Sequence, residues 1–494
     1  MADDNPAFVG NNVFDSDNII DVIPLKSDNA GNLLTWYDFH DTKYFTFGRA
    51  AKLSENHSVS IDSGDYLVGE STLNLNINDF TISAWVKADA SQTSVRTILA
   101  KGSKLQLRLN ESHQIEVMVD DDDDDPRFTS TTVLNDNKWH QITFVYNSGT
   151  IFLYVDGVLD KSIQDVEAPS PNYNHFSLGA LYIDKNTIIN PFLGKIDEVY
   201  IWDVGLSELQ VRYLMNQEVE KGAGDFVTGK TLPQAAVNNP IQTIPWSKLK
   251  DYYDFNSFYG STVEGLSNTR NFLRLKYLNT DKELLDTQTI PVPYVSMAPG
   301  GDWSSASTWL YGADNVLPNT LSLDGSTYID WNIVETNHNI TSGDKNITVL
   351  ALKSNGGELT IADPNDDAQD ETNSGQSLTI TNYLELDGVI DLVGESQLIQ
   401  TDGSIIDADS GGYIERDQQG TANGFNYNYW SSSVGPIGGD ATARGEGIEA
   451  TNANYTIEGV LKNGVESDNY EGGLGFDASP QAGTIPPPGL YRII

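Results

Sequence analysis

Apolar and polar residues alternate with a period of two along most of this chain, the signature of strands with one buried face. In Phe80-Thr-Ile-Ser-Ala-Trp-Val-Lys87, residues Phe80, Ile82, Ala84 and Val86 share one face, and Thr81, Ser83, Trp85 and Lys87 the other. Further strands are predicted at Leu33–Phe39, Val59–Asp62, Asp65–Leu67, Thr97–Lys101, Leu105–Leu109, Ile115–Val119, Trp139–Tyr146 and Ile151–Val155. Asn147-Ser-Gly149 and Asp156-Gly157 supply tight turns between them. Short strands at such spacing predict a sandwich or jellyroll.

Phe192–Asp203 predicts the strand around which this first half is organised. Its alternation sets Ile196, Glu198, Tyr200 and Trp202 against Asp197, Val199, Ile201 and Asp203, with apolar groups on both faces, as in a strand deep in a two-layer fold. A short helix is predicted to follow, started by a capping box of Ser207 and Gln210 and carrying an apolar stripe of Leu209, Tyr213 and Leu214. Farther on, Trp246–Phe255 echoes the aromatic pair and Asp-Phe of Leu33–Phe39. It reads equally as the opening of a degenerate second jellyroll or as a linker that packs an aromatic hairpin on a neighbour.

From Gly300 the texture changes. After an aromatic entry at Trp303 and Trp309 come short strands at Leu321–Leu323, Tyr328–Val334, Ile347–Leu352, Leu359–Ile361, Leu378–Ile380, Leu384–Leu386, Ile390–Leu392 and Leu398–Ile399. Pairs of apolar residues two apart, broken by Gly-containing turns, predict coils of a β-solenoid, with a plain sandwich as the alternative. The chain thus divides into a linker or upstream tail (1–29), a jellyroll (30–219), a connector (220–294), a solenoid-like β-rich module (295–432) and a truncated, Gly-rich β segment (433–494). The fold class is all-β.

Composition narrows the partners. Lys+Arg 29 against Asp+Glu 70 gives a net charge of −41, which repels nucleic acid and anionic membrane surfaces. With Cys 0, disulfides, thiolate metal sites and cysteine nucleophiles are excluded. No apolar run reaches the ~18 residues of a membrane-spanning helix, and Met1–Pro6 opens no signal peptide. The chain is therefore expected to be cytoplasmic or an excised piece of a longer exported protein.

Five landmarks resemble the laminin-G-like (concanavalin-A-like) jellyroll domain: Phe80–Val86, Trp139–Ile142, Leu153–Gly157, Leu178-Gly179 and Gly194–Val199. Tyr328–Thr341, Tyr383–Leu398, Tyr413–Thr421 and Tyr427–Trp430 are similar to segments of large multidomain surface proteins of Bacteroidota, in which such a block follows a laminin-G-like domain. Those proteins leave the cell by the type IX system. That resemblance implies an extracellular or cell-surface fragment with further domains in the parent chain, and a glycan or other surface ligand as partner. The laminin-G-like resemblance implies a structural calcium ion held by the Asp of the closing strand, here Asp197. Asp38 and Asp62 are its companions by position, and salt-bridging or turn-capping is the alternative role for Asp197.

Other candidates carry less chemistry. Asp120–Asp125 is a run of carboxylates that is either a solvated loop or a cation-recruiting rim. Trp85, Tyr173, Tyr182, Phe425, Tyr427, Tyr429 and Trp430 are candidate sugar platforms, though aromatics on sheets usually serve the core. The six His show no helical metal-ligand spacing, and neither a nucleophile elbow nor a P-loop is present. Glycosidases of this jellyroll class carry Glu-x-Asp-x-(x)-Glu on a strand; Glu385-Leu-Asp387 lacks the third carboxylate. The expectation is a non-catalytic, calcium-stabilised adhesion or glycan-binding segment. A purely structural stalk, or a polysaccharide-degrading enzyme, is the alternative.

Overall fold

A computed structural model describes residues 57–61, 65–69, 79–91, 93–119, 128–167, 173–184, 187–233, 239–256, 262–267, 271–276, 285–364 and 375–419, with short pieces at 169, 258–259, 461–464 and 490–493. The predicted strand at Leu33–Phe39 lies outside these residues.

The described residues are almost entirely β. Two antiparallel sheets face each other as a jellyroll-like sandwich. The first runs in spatial order Val158–Ile163, Thr150–Val155, Trp139–Asn147, Phe80–Ala88, Gly194–Trp202, His57–Ile61 and Leu285–Thr287. The second runs Phe258–Tyr259, Thr262–Glu264, Phe272–Lys276, Tyr66–Gly69, Phe176–Leu178, Arg96–Lys101, Leu105–Leu109, Gln114–Val119 and Phe128–Val133. Phe80, Ile82, Ala84 and Val86 enter the core between the sheets, as the alternation predicts. Both tight turns form: Ser148 and Gly149, then Asp156 and Gly157, take positive φ.

The segment 220–294 contributes to both sheets. Leu249–Tyr253 pairs with the far half of Gly194–Trp202, and Leu285–Thr287 pairs with His57–Ile61. Thr262–Glu264 and Phe272–Lys276 extend the second sheet beyond Tyr66–Gly69. Tyr253 and Phe255 of the aromatic echo reach the jellyroll core.

The second module is parallel. Successive strands alternate between two sheets: Tyr294–Val295, Ile333–Thr336, Ile347–Ser354, Ser377–Leu386 and Gln397–Gln400 in one, and Gly301–Asp302, Ile340–Thr341, Glu358–Ile361, Val389–Leu392 and Tyr413–Gln419 in the other. Every pairing between these neighbours is parallel. Inward residues such as Val349, Leu352, Leu384 and Ile390 form the core between them. Trp303 and Trp309 close one end edge-to-face, with ring centroids 4.9 Å apart, and both indole N–H groups donate to backbone carbonyls.

The helix Glu208–Leu214 begins with the expected capping box: the Ser207 hydroxyl accepts from Gln210 N–H, and the Gln210 side chain accepts from Ser207 N–H. Its stripe differs from the sequence expectation. Val211, Tyr213 and Leu214 are buried, whereas Leu209 is 68 % exposed. The buried face covers the outer side of the first sheet, and so creates the interior in which the candidate site lies.

Candidate functional site

The closing strand Gly194–Trp202 does not keep a period of two. Ile196, Val199 and Ile201 face the jellyroll core, while Tyr200 and Trp202 face outward, toward the helix layer. Between them the register against Phe80–Ala88 shifts, with Asp197 opposite Trp85 and Tyr200 opposite Ser83. Glu198 has a positive φ of 48°. This is a β-bulge: one extra residue lets two consecutive carboxylates fit between inward positions 196 and 199. Asp197 is 0 % exposed and Glu198 1 %.

Glu198 Oε2 accepts from the hydroxyls of Tyr200 (2.5 Å) and Tyr252 (2.6 Å), whose rings stack at 4.3 Å. Asp197 Oδ1 accepts from Glu198 N–H at 2.8 Å. The other oxygens, Asp197 Oδ2 and Glu198 Oε1, are buried without a hydrogen-bond partner. Gln288 lies alongside and favours the charged form of Asp197, yet its amide nitrogen also lacks a hydrogen bond. Burial, then the neighbouring charges, holds both carboxyls well above the usual carboxylate range. For Glu198 those charges are Glu218 and Asp254; for Asp197 they are Glu198 and Asp254. Asp254 is itself raised by burial. Lys230 forms an ion pair with Glu218 and feels the charges of Asp254 and Glu198.

Three carboxylates, Glu198, Glu218 and Asp254, therefore share the field of the Lys230 ammonium. Asp197 was legible from the closing-strand landmark; Glu198, Glu218 and Lys230 were not. The signal available for Glu198 was a second carboxylate beside Asp197 in an otherwise apolar strand, which a strict alternation places on the opposite face.

Two orphaned carboxylate oxygens on consecutive buried residues suit a hard cation, whose charge would offset their desolvation. Among the described residues, no three His, Asp or Glu side chains are grouped to hold a metal. Calcium also accepts carbonyls and water as ligands. Asp38 and Asp62 lie outside the described residues, so their positions relative to Asp197 do not enter the fit.

The remaining candidates fall in several places. Trp85 is a junction residue: it is buried, and its indole N–H donates to Met215 O at 3.2 Å. Tyr182 packs against Tyr66 and His175. Tyr173 is 76 % exposed. Phe425, Tyr427, Tyr429, Trp430 and the Asp120–Asp125 run lie outside the described residues. Among the histidines, His140 is buried between two aspartates: Nδ1 is 2.7 Å from Asp156 Oδ2 and Nε2 3.0 Å from Asp136 Oδ1. No helix among the described residues is long and apolar enough to cross a membrane.

No curated protein matches the chain. Among solved structures, a protein from Bacteroides ovatus with a carbohydrate-binding assignment is 17 % identical with a TM-score of 0.36, over 49 % of this chain and 62 % of that one. A heptameric SAP-like pentraxin from Limulus polyphemus is 12 % identical with a TM-score of 0.27, over 32 % and 82 %. Domain 4 of an extracellular arabinanase from Geobacillus stearothermophilus, in complex with arabinotriose, is 23 % identical with a TM-score of 0.23, over 28 % and 66 %. Residues 62–212 match the family model described as the concanavalin A-like lectin/glucanases superfamily, and they fold here as a lectin-like jellyroll.

Proposed function

We propose that this chain is a non-catalytic glycan-binding segment of a bacterial surface protein, stabilised by calcium beside Asp197. The match of residues 62–212 to a lectin/glucanase family over an antiparallel jellyroll carries the reading. The role of the raised carboxyls favours binding over hydrolysis. Glycoside hydrolysis needs two carboxyl groups flanking the scissile bond. Asp197 and Glu198 lie under the helix layer, where a polysaccharide does not reach. Export by the type IX system and further domains in a longer parent chain belong to the same proposal.

A glycan and polysaccharide array, run in calcium and in chelator, tests the reading. Retention of at least one glycan without release of reducing ends is the expected result. A blank array from folded protein would leave the stalk reading, which the strands of the parallel module, alternating as in a solenoid, also favour. Released reducing ends would establish an enzyme instead.

The calcium component has its own measurement. Saturation at about 100 Kd of free calcium stabilises the bound state by roughly 2.7 kcal/mol. A rise in Tm of about 2–3 °C over chelator is expected for a chain that melts as one unit, and Asp197→Asn should abolish that increment. Equal melting in calcium and chelator would remove the ion from the proposal.

A further inference from the structure

The outer face of the first parallel sheet carries two rows of side chains. Ile333, Ala351, Tyr383 and Ile405 stand in register across adjacent strands and pack against the outer layer of the jellyroll. Two residues farther along each strand the row becomes charged: Glu335, Lys353 and Glu385 are in register. Lys353 Nζ lies 3.8 Å from Glu335 and 3.3 Å from Glu385. Opposite this ladder stands the hairpin of Val219–Lys221 and Val227–Gly229, with Glu220 and Lys221 on one strand and Lys230 and Thr231 just past the other. The two modules part here around an open cleft of ≈ 570 Å³.

We propose that this cleft binds a neutral oligosaccharide segment, a refinement that rests on the glycan-binding reading above. Its volume lies within the roughly 300–1,000 Å³ of ligand sites. The chemistry of its walls selects the ligand. Each ammonium already has a carboxylate: Lys353 has Glu335 and Glu385, Lys230 has Glu218, and Lys221 has Asp225 at 2.7 Å. No surplus positive charge remains for an acidic sugar, and the net charge of −41 repels polyanions at longer range. A sugar hydroxyl donates and accepts at once. Walls that alternate ammonium donors with carboxylate acceptors satisfy both roles with charge-assisted hydrogen bonds. Tyr383 lends shape and not a stacking face, because its ring is buried and its hydroxyl is given to Asp407.

The test is calorimetric titration of the full chain, in calcium, with oligosaccharides of arabinan, xylan, β-glucan and mannan, and with oligogalacturonate as the anionic probe. Wild type, Glu385→Gln and Lys353→Met are compared, with Tm as the folding control. If either variant loses its fold, Glu220→Gln on the exposed side of the hairpin replaces it. Binding of a neutral probe, weakened about tenfold or more in the variants, is expected, since each removes a hydrogen bond to a charged group. Neutral binding that the variants leave unchanged would overturn the cleft while the glycan-binding reading stands. A preference for oligogalacturonate would overturn the ligand class. Binding of no probe by wild type would overturn both.

Discussion

Trp331→Ala is expected to split the thermal unfolding of this protein into two transitions and to lower the first. Trp331 belongs to the parallel module but is buried in a cluster with Trp85, Trp139 and Met215 of the jellyroll. Its indole N–H donates to Asp156 O at 3.1 Å, and the Arg212 guanidinium lies over the ring, 3.9 Å from its centroid. The turn that receives it is shaped to fit: a Cβ on Gly157, which has φ +74°, would come within 2.6 Å of Trp331 Nε1. Polar bonds beside the cluster cross the same seam, among them Lys87 to Asp314 and Asn332 to Asn216. Removing a buried Trp side chain costs about 3–5 kcal/mol. Here that loss falls on the contact between modules, and each module keeps its own core. Calorimetry should show one transition in wild type and two in the variant. Tyr328→Ala, at a ring 54 % exposed, serves as the control and should leave the melt unchanged. A single, unshifted transition in Trp331→Ala would mean that the cluster does not couple the modules.

That junction marks where sequence reading ran out. The period-two rule finds Trp85 on the face of its strand away from Phe80 and Ile82, and an outward aromatic on a sandwich reads as a candidate sugar platform. The rule is right about the face and blind to what covers it, because the cover comes from Met215, Ile290, Ile329 and Trp331, far along the chain from Trp85. The same rule fails at Glu198 for a local reason: a bulge inserts a residue, and every assignment made across it changes side. Signals that need only neighbours in sequence were legible, such as the Ser207–Gln210 capping box and the Asp156–Gly157 turn. Leu209 shows the limit of a helical stripe on so short a helix, since one position of rotation decides which end residue is covered. In the parallel module most strand positions were readable, but Leu321–Leu323 forms only a bridge from Leu321 to Tyr328, the strand expected over Tyr328–Val334 begins at Ile333, and the repeat was ragged. Ile340, Leu359, Ile390 and Ile414 stack in register although the turns that separate them differ in length.

His140→Ala is expected to cost about 3–5 kcal/mol at pH 6, the scale for breaking a buried charge pair, and to cost much less at pH 10. Burial alone would lower the pKa of this imidazole. The Asp156 charge and the hydrogen bonds to Asp136 and Asp156 outweigh burial and raise it to about 10. With both ring nitrogens facing carboxylate oxygens, the charged ring donates on both sides, and Asp156 Oδ1 also accepts from Gln141 N–H at 2.8 Å. The sign follows from linkage. A histidine raised on folding contributes its full stability below its unfolded pKa of about 6.5, and that contribution is lost as pH rises through the folded value. The gap between wild type and His140→Ala should therefore be widest near pH 6 and close progressively toward pH 10. Urea unfolding of both proteins at pH 6, 8 and 10 measures it. Asp156→Asn provides a second arm: it removes the leading charge that raises the imidazole pKa, so the pH at which stability falls should move toward neutrality. A gap that stays constant from pH 6 to 10 would show that the ring is neutral in the fold, and that the two aspartates hold it by hydrogen bonding alone.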